Sequence, residues 1–398
     1  MNIQFFAPRY LDIGAGAVTR IADLLARLGV SAPLIVTDPM MVKLGLIKRL
    51  TDPLDQAGIT YTVFSDTVPE PIDTVIDAGV ALARGSAIAR ARSAPPIDCL
   101  IGFGGGSPID TAKAINILLA AKPGAKLRQF KVPFSADHAA LPLIAVPTTA
   151  GTGSEATRFT VITDTQTDEK MLIGGLGALP VAALVDFELT LSVPARTTAD
   201  TGIDAFTHAL EALVSRRAGP MSDGYARTAL ALIGPHLRAV YHTPDNRAAR
   251  EAMMLGATLA GLAFSNASVA LVHGMSRPIG AHFHVPHGMS NAMLLPAITR
   301  YSLSAALPRY AEAARLAGFA PQDASDQAAG AALVAELAAI NRDLSVPTPA
   351  AFGIDAQQWH ARCAVMAEQA LGSGSPANNP AIPDAQAIID LYQQVYQN

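Results

Sequence analysis

PPIDCLIGFGGGSPIDTAKAINILLAA, residues 95–121, decides the fold. An apolar run over 97–103 stops at three consecutive glycines, and apolar residues at three- and four-residue spacing follow. That order is a buried strand, a tight turn and a helix, the start of a strand–helix crossover. Gly104, Gly105 and Gly106 exceed what a turn needs. Without β-carbons they let an anion approach backbone N–H groups, and a helix N-terminus there adds roughly half a positive charge. Ser107 suits an N-cap or a phosphate donor, Pro108 the first helical position and Asp110 the first turn. A ligand-free strand-to-helix turn is the structural alternative. The stretch matches neither G-x-G-x-x-G nor the Lys-Ser/Thr P-loop.

Similar alternation flanks it. PLIVTD (33–38), TYTVFS (60–65) and ALPLIAVPT (140–148) read as buried strands, with helix-period segments over 18–29, 41–58 and 73–91. The pattern predicts a parallel sheet covered by helices over residues 1–190, with ligands at the carboxyl ends of the strands. AVPTTAGTGSE (145–155) repeats the glycine-turn design with Thr148, Thr149 and Thr152, then Ser154 and Glu155 at an expected helix start. Two such turns at successive strand ends suit one extended ligand. Asp38 closes PLIVTD, where a carboxylate can accept from ribose hydroxyls and repel a 2′-phosphate, favouring NAD over NADP. It is equally placed to cap a helix starting near Met40.

Beyond about residue 195 the strand signal ends and the chain becomes helical in period, with Ile203, Phe206, Leu210 and Leu213 on one stripe. The 398 residues are therefore read as an α/β domain over 1–190 and an all-helical domain over 191–398, with GSGSPANNPAIP (372–383) as a loop between the last two helices. Charged residues make up 16 % and the net charge is −4, which gives no reason to expect a nucleic-acid or anionic-membrane surface. No apolar run approaches the ~20 residues of a bilayer span, and MNIQFFAPRYLDIG does not read as a signal peptide. Cys99 and Cys363 are the only cysteines, which fits a reducing cytoplasm.

Asp204 and His208 lie four apart in GIDAFTHALEA, on one face of a helix, and His273 and His287 follow in ALVHGM and HVPHGM. One carboxylate and three imidazoles make a donor set for one divalent cation. A buried Asp–His pair can also simply satisfy itself by hydrogen bonding, but His273, His282, His284 and His287 fall within fifteen residues of apolar, glycine-rich sequence. Pro286 is placed to start a helix with His287 in its first turn.

GGGSPIDTAK, PTTAGTGSE, GIDAFTHALEA and NASVALVHGMSRPIGAHFHVPHGMSNAMLLP together resemble the iron-containing (group III) alcohol dehydrogenases over nearly the whole chain. The resemblance implies a Rossmann-like α/β dinucleotide domain, an all-helical metal domain and an active site in the cleft between them. It implies ligation of Fe2+, sometimes Zn2+, by Asp204, His208, His273 and His287. NAD contacts carry over to Asp38, Gly104, Gly105, Gly106, Ser107, Thr148, Thr149, Thr152 and Lys170. Phe264 matches an apolar residue of the substrate pocket, and Phe159 and Arg277 are expected to join it in setting substrate choice. Family members are usually homodimers or larger and act on small alcohols and aldehydes.

One departure stands out. Several members carry a histidine four residues beyond the third ligand, where this chain has Arg277. A permanent cation beside a metal dication suits an anionic substrate such as an ω-hydroxy acid or its semialdehyde, unless Arg277 turns away to a protein carboxylate. A dehydroquinate-synthase-like lyase shares the architecture and both cofactors but fits the motifs less well. A non-catalytic nucleotide-binding role sits poorly with an intact donor set.

Overall fold

The computed structural model describes residues 3–89 and 96–397. Contacts divide the chain into two compact units, Phe6–Ser192 and Val193–Asn398, the second including the first residues of the chain.

The first unit holds a six-stranded sheet of β1 (Tyr10–Ile13), β2 (Pro33–Val36), β3 (Thr62–Phe64), β4 (Cys99–Gly104), β5 (Leu143–Pro147) and β8 (Ala182–Val185). Every pairing is parallel and the order is β1-β8-β5-β4-β2-β3. All residues of β2, β4 and β5 are buried, as expected for strands covered on both faces. Alternate residues feed opposite cores. Leu34, Val36, Leu100 and Leu143 pack with Ile76 and Ile115 on one face; Ile35, Ile101, Phe103 and Ile144 pack with Ile21, Leu25 and Leu50 on the other. Each such side chain contributes roughly 1.5–3 kcal/mol by leaving water. From β2 the chain passes outward to β3, and from β4 it passes the other way to β5. The sheet therefore switches direction between β2 and β4, and the loops after these two strands border the crevice where open α/β sheets take ligands.

Several sequence expectations need correction. The helix read over 41–58 is two helices, Pro39–Lys43 and Lys48–Gln56, because Gly45 between them has φ +69°. The segment after AVPTTAGTGSE is not a helix: a short 3-10 turn, Ser154–Ala156, leads into an antiparallel hairpin of β6 (Phe159–Asp164) and β7 (Glu169–Gly174). β-Branched Thr160, Val161, Ile162 and Thr163 favour that strand, and alternate residues are buried. The strand β1 has no continuous apolar run to announce it, since Tyr10–Ile13 is half-buried to exposed and includes Asp12. The first residue of the run read from 95 and the end of the helix read over 73–91 lie outside the described residues.

The second unit is helical throughout its described residues. Its central helix, Ala195–Val214, is buried on every side from Gly202 to Val214 and packs against Pro220–His242, Arg247–Ala267 and His287–Ser302. A helix apolar all round belongs inside a bundle, so polar residues on it are conspicuous. A 3-10 turn, Ser375–Asn378, interrupts the loop between the last two helices. Among the described residues no single helix is long and apolar enough to cross a membrane.

Candidate active site

Asp204 and His208 project from the buried helix Ala195–Val214, His273 from Leu271–Phe283, and His287 is the first residue of His287–Ser302. The Nε2 atoms of His273, His287 and His208 lie 3.3, 3.8 and 3.9 Å from one oxygen, Asp204 Oδ1. Donor atoms of Asp204, His208 and His273 all fall within 4.8 Å of one another. Two donors each bonded at about 2.1 Å to one tetrahedral ion sit roughly 3.4 Å apart, so this spacing suits a single divalent cation. Burial pushes the Asp204 carboxyl up, but the neighbouring imidazoles outweigh it and hold the group well below the usual carboxylate range. A metal ligand must be deprotonated, the form these neighbours favour. His287 is 39 % exposed against 3–6 % for the other three side chains, which marks the open side of the cluster.

Three residues that the sequence reading passed over complete it. Glu211 lies seven residues beyond Asp204 on the same buried helix. Its Oε2 accepts from His273 Nδ1 at 2.7 Å and from Ala270 N at 2.9 Å, and its Oε1 accepts from Val272 N at 2.6 Å. One carboxylate thus caps the start of the Leu271–Phe283 helix and holds the His273 proton on Nδ1, leaving the Nε2 lone pair toward Asp204. The i+7 acid on an otherwise apolar helix face was the available signal. Asn291, one turn past His287, donates from Nδ2 to Asp204 Oδ1 at 2.7 Å. Among the described residues its buried Oδ1 has no hydrogen-bond partner, an orphaned acceptor beside the Asp–His cluster. Ser375, 98 residues from Arg277, could not be associated with it in sequence; Arg277 Nη1 donates to its hydroxyl at 3.0 Å.

The Phe264 ring stacks on His208 at 4.1 Å, and His208 stacks on His273 at 4.4 Å. Arg277 sits one turn beyond His273 with no carboxylate within 4 Å among the described ion pairs, and burial lowers its pKa despite the nearby Glu211 charge. His282 is tied to Gln369 at 2.9 Å in an exposed position, and His284 ends its helix at φ +55°.

In the α/β unit the two glycine turns face each other. Thr148 N donates to Gly104 O at 2.9 Å, and the Thr149 side chain stands 3.6 Å from where a Gly105 Cβ would lie. A Cβ on Gly106 would meet Thr152 Cγ2 at 2.8 Å. Gly104, at φ +145°, has room for no side chain: its Cβ would fall 2.5 Å from Pro108 Cγ and 3.4 Å from Asp38 Oδ2. The tip of β2 and the turn after β4 therefore touch at the switch point. Thr149 Oγ1 is buried there without a hydrogen-bond partner.

Here too the details differ from expectation. The helix runs Gly106–Ala120 with Gly105 as its N-cap, so Ser107 is a first-turn residue and not the cap, and Pro108 is third in the helix. Asp110 lies beyond the first turn. It accepts from Ser154 Oγ at 2.6 Å and Val161 N at 2.9 Å, tying the helix to the second turn. Asp38 follows the end of β2 by two residues and caps Pro39–Lys43 through Met41 N at 2.9 Å. Lys170, on β7, pairs with Glu70 at 2.8 Å. The Phe159 ring, on β6, packs over Gly174 with the Arg158 guanidinium 5.2 Å from its centroid.

A glycine-turn crevice in a parallel sheet and an Asp–His cluster with ligand-like spacing in a helical bundle suit a metal-dependent oxidoreductase. Family models agree: residues 8–187 match "Iron-containing alcohol dehydrogenase" and residues 198–396 match "Fe-containing alcohol dehydrogenase family, C-terminal". The chain belongs to the iron-containing alcohol dehydrogenase family and is an oxidoreductase of the alcohol/aldehyde class. It is 33 % identical to lactaldehyde reductase of Escherichia coli K12 over 384 residues, covering 96 % of this chain and 97 % of that one. It superposes on a crystal structure of 1,3-propanediol oxidoreductase with TM-score 0.92 and 33 % identity, over 100 % of both chains. Sulfoacetaldehyde reductase from Bifidobacterium kashiwanohense in complex with NAD+ gives TM-score 0.86 and 28 % identity, over 100 % of this chain and 99 % of that one.

Proposed function

We propose that this chain transfers hydride reversibly between NAD(H) and a small alcohol/aldehyde pair. In this reading Asp204, His208, His273 and His287 hold one divalent ion, Fe2+ first and Zn2+ second. The observation that carries it is the convergence of three Nε2 atoms on Asp204 Oδ1 inside an apolar bundle. When bound, such an ion lowers the pKa of the alcohol or polarises the aldehyde carbonyl, and the nicotinamide takes or gives the hydride. The residues supply the rest. Glu211 orients His273 and fixes its tautomer. Phe264 covers one face of His208, restricting water and offering an apolar wall to the carbon chain of a substrate. Gly104, Gly105, Gly106, Ser107, Thr148, Thr149 and Thr152 form the phosphate cradle, with Lys170 at its hairpin. Asp38, beside Gly104, disfavours a 2′-phosphate and so NADP. Titrating Fe2+, Zn2+ and Co2+ into chelator-treated protein and following NADH absorbance with an alcohol panel tests this. Full NAD and metal occupancy with no turnover, or turnover indifferent to exhaustive chelation, refutes it.

A second reading concerns the substrate. Arg277 keeps a half-buried guanidinium that donates to the neutral Ser375 and, among the described residues, forms no ion pair within 4 Å, its nearest named acid being Glu211, which is already engaged with His273. That favours an anionic aldehyde or ω-hydroxy acid, and a structural relative named for a sulfonated aldehyde points the same way. A higher kcat/KM for succinate semialdehyde than for butyraldehyde is expected; equal values discard the idea. Two buried free cysteines support a cytoplasmic setting, and the family resemblance supports a homodimer or larger homo-oligomer, checked by analytical ultracentrifugation.

A further inference from the structure

We propose that Asn291 is a further residue of the metal centre, a positioning amide that turns its oxygen toward the ion. The idea rests on the metal reading above. Asn291 is 0 % exposed and lies four residues after His287 on the same helix. Its Nδ2 is 2.7 Å from Asp204 Oδ1, 3.1 Å from His273 Nε2 and 3.2 Å from His287 Nε2. Glu211 Oε2 accepts from His273 Nδ1, so in the tautomer with its proton there Nε2 presents a lone pair, 3.3 Å from Asp204 Oδ1. The amide N–H2, with its partial positive charge, faces three electron-rich atoms and so occupies the electrostatic position of a cation.

The other end of the amide does not fit its surroundings. Among the described residues Asn291 Oδ1 is buried with no hydrogen-bond partner, an arrangement that costs on the order of 1–3 kcal/mol for a buried acceptor. Exchange of the two ends needs only a half-turn about a torsion with a broad, roughly two-fold profile. Carbonyl oxygen facing three lone-pair donors is repulsive alone and attractive around a dication, which takes amide oxygen readily. The side chain is therefore two-faced: its nitrogen holds Asp204 and the imidazoles in register, and its oxygen is the group that faces a divalent ion. An apolar residue of the same size does neither.

The test uses the full chain, treated with chelator and titrated with Co2+, reading the d–d absorption band and the metal-induced rise in Tm. Asn291→Ala is expected to weaken Co2+ binding by roughly 10–100-fold and to alter the band, with NAD affinity unchanged. Asn291→Thr serves the same purpose where the alanine variant fails to fold. Asn291→Asp places two carboxylates together, so its Tm in chelator falls, yet its oxygens face the ion and it binds Co2+ about tenfold or more tightly than wild type. An alanine variant within about twofold of wild type with an unchanged band overturns the proposal. So does an aspartate variant that binds more weakly, since the N–H contact to Asp204 is then the whole role. Wild-type protein that binds no Co2+ sinks the metal reading itself, whereas normal wild-type binding with indifferent variants removes only Asn291.

Discussion

Asp110 with Lys113 in the α/β unit, and Asp204 with its histidines in the helical unit, both set an acid against bases inside the fold. In the first, every charged atom is answered by a fixed partner. Lys113 Nζ donates to Phe159 O at 2.7 Å, Thr157 O at 3.0 Å and Thr157 Oγ1 at 3.1 Å, while Asp110 is held by Ser154 and Val161 N. Burial dominates there, raising the Asp110 carboxyl and lowering the Lys113 ammonium to about 8. In the second, donors point at one another across a shared centre, the carboxyl is pulled far down, and an amide oxygen is stranded. A saturated cluster reads as scaffold; an unsaturated one, with ring nitrogens converging on a carboxylate oxygen, is a candidate site. Both occur in recognisable motifs, and only the count of satisfied atoms tells them apart.

The largest effect that sharpens this contrast is removal of a donor. His273→Ala should abolish Co2+ and Fe2+ binding, leave NAD affinity largely intact, and cut turnover on the order of 10³-fold or more, the scale of losing several kcal/mol of charge stabilisation. Metal content by atomic absorption beside NADH titration separates the two functions; retained stoichiometric metal removes His273 from the donor set. Glu211→Gln comes next. One of its two oxygens becomes an NH2 facing either the His273 Nδ1–H or backbone N–H groups, so donor meets donor. Metal affinity should fall by roughly 10–100-fold with every direct ligand still present. Unchanged affinity would make Glu211 a helix cap and nothing more.

Much of this was legible in the chain because the signals were local. Strands β2, β4 and β5 are short, continuous apolar runs, as burial on both faces requires. The donors announced themselves as imidazoles in apolar sequence. What escaped notice depends on partners far away. Glu211 acts through residues about 60 positions later, Ser375 meets Arg277 across 98, and Asn291 looked like an ordinary polar residue inside a helix. The β6–β7 hairpin was misread because a glycine turn after a strand usually opens a helix. Asp110 instead reaches across to Val161 N, helping to fix an extended strand where the pattern suggested a coil of the same sign as the first. The cap on Ser107 failed for a simpler reason: Gly105, free of a side chain, already occupies the N-cap position with extended backbone.

Asp38 stands between the two kinds of cluster, since it caps a short helix and also lies beside the Gly104 turn. Asp38→Gly should cost only a few tenths of a kcal/mol in capping. The same change should relax discrimination between NAD and NADP roughly tenfold, the worth of about 1.4 kcal/mol from one removed like-charge contact. Isothermal titration with both dinucleotides decides whether the cap is its sole role, in which case the NAD/NADP ratio stays put.

The smallest effect tests the scaffold cluster. Lys113 is charged below about pH 8 in the folded chain, whereas in the unfolded chain it keeps its proton up to about its ordinary 10.5. Between these values the unfolded state binds more protons, so stability rises with pH. The contribution is complete above 10.5 and is lost as pH falls through 8. Lys113→Met has no such titration. The urea stability of wild type minus that of the variant should therefore widen from pH 8 upward, by at most about 1.4 kcal/mol per pH unit. Asp110 and Glu155, the acids that face Lys113, favour its charged form and already offset part of the effect of burial. A difference that is flat or shrinking over this range means that these carboxylates outweigh burial. The cluster would then be an ion pair that holds its charge, and the contrast with Asp204 would lie in geometry alone.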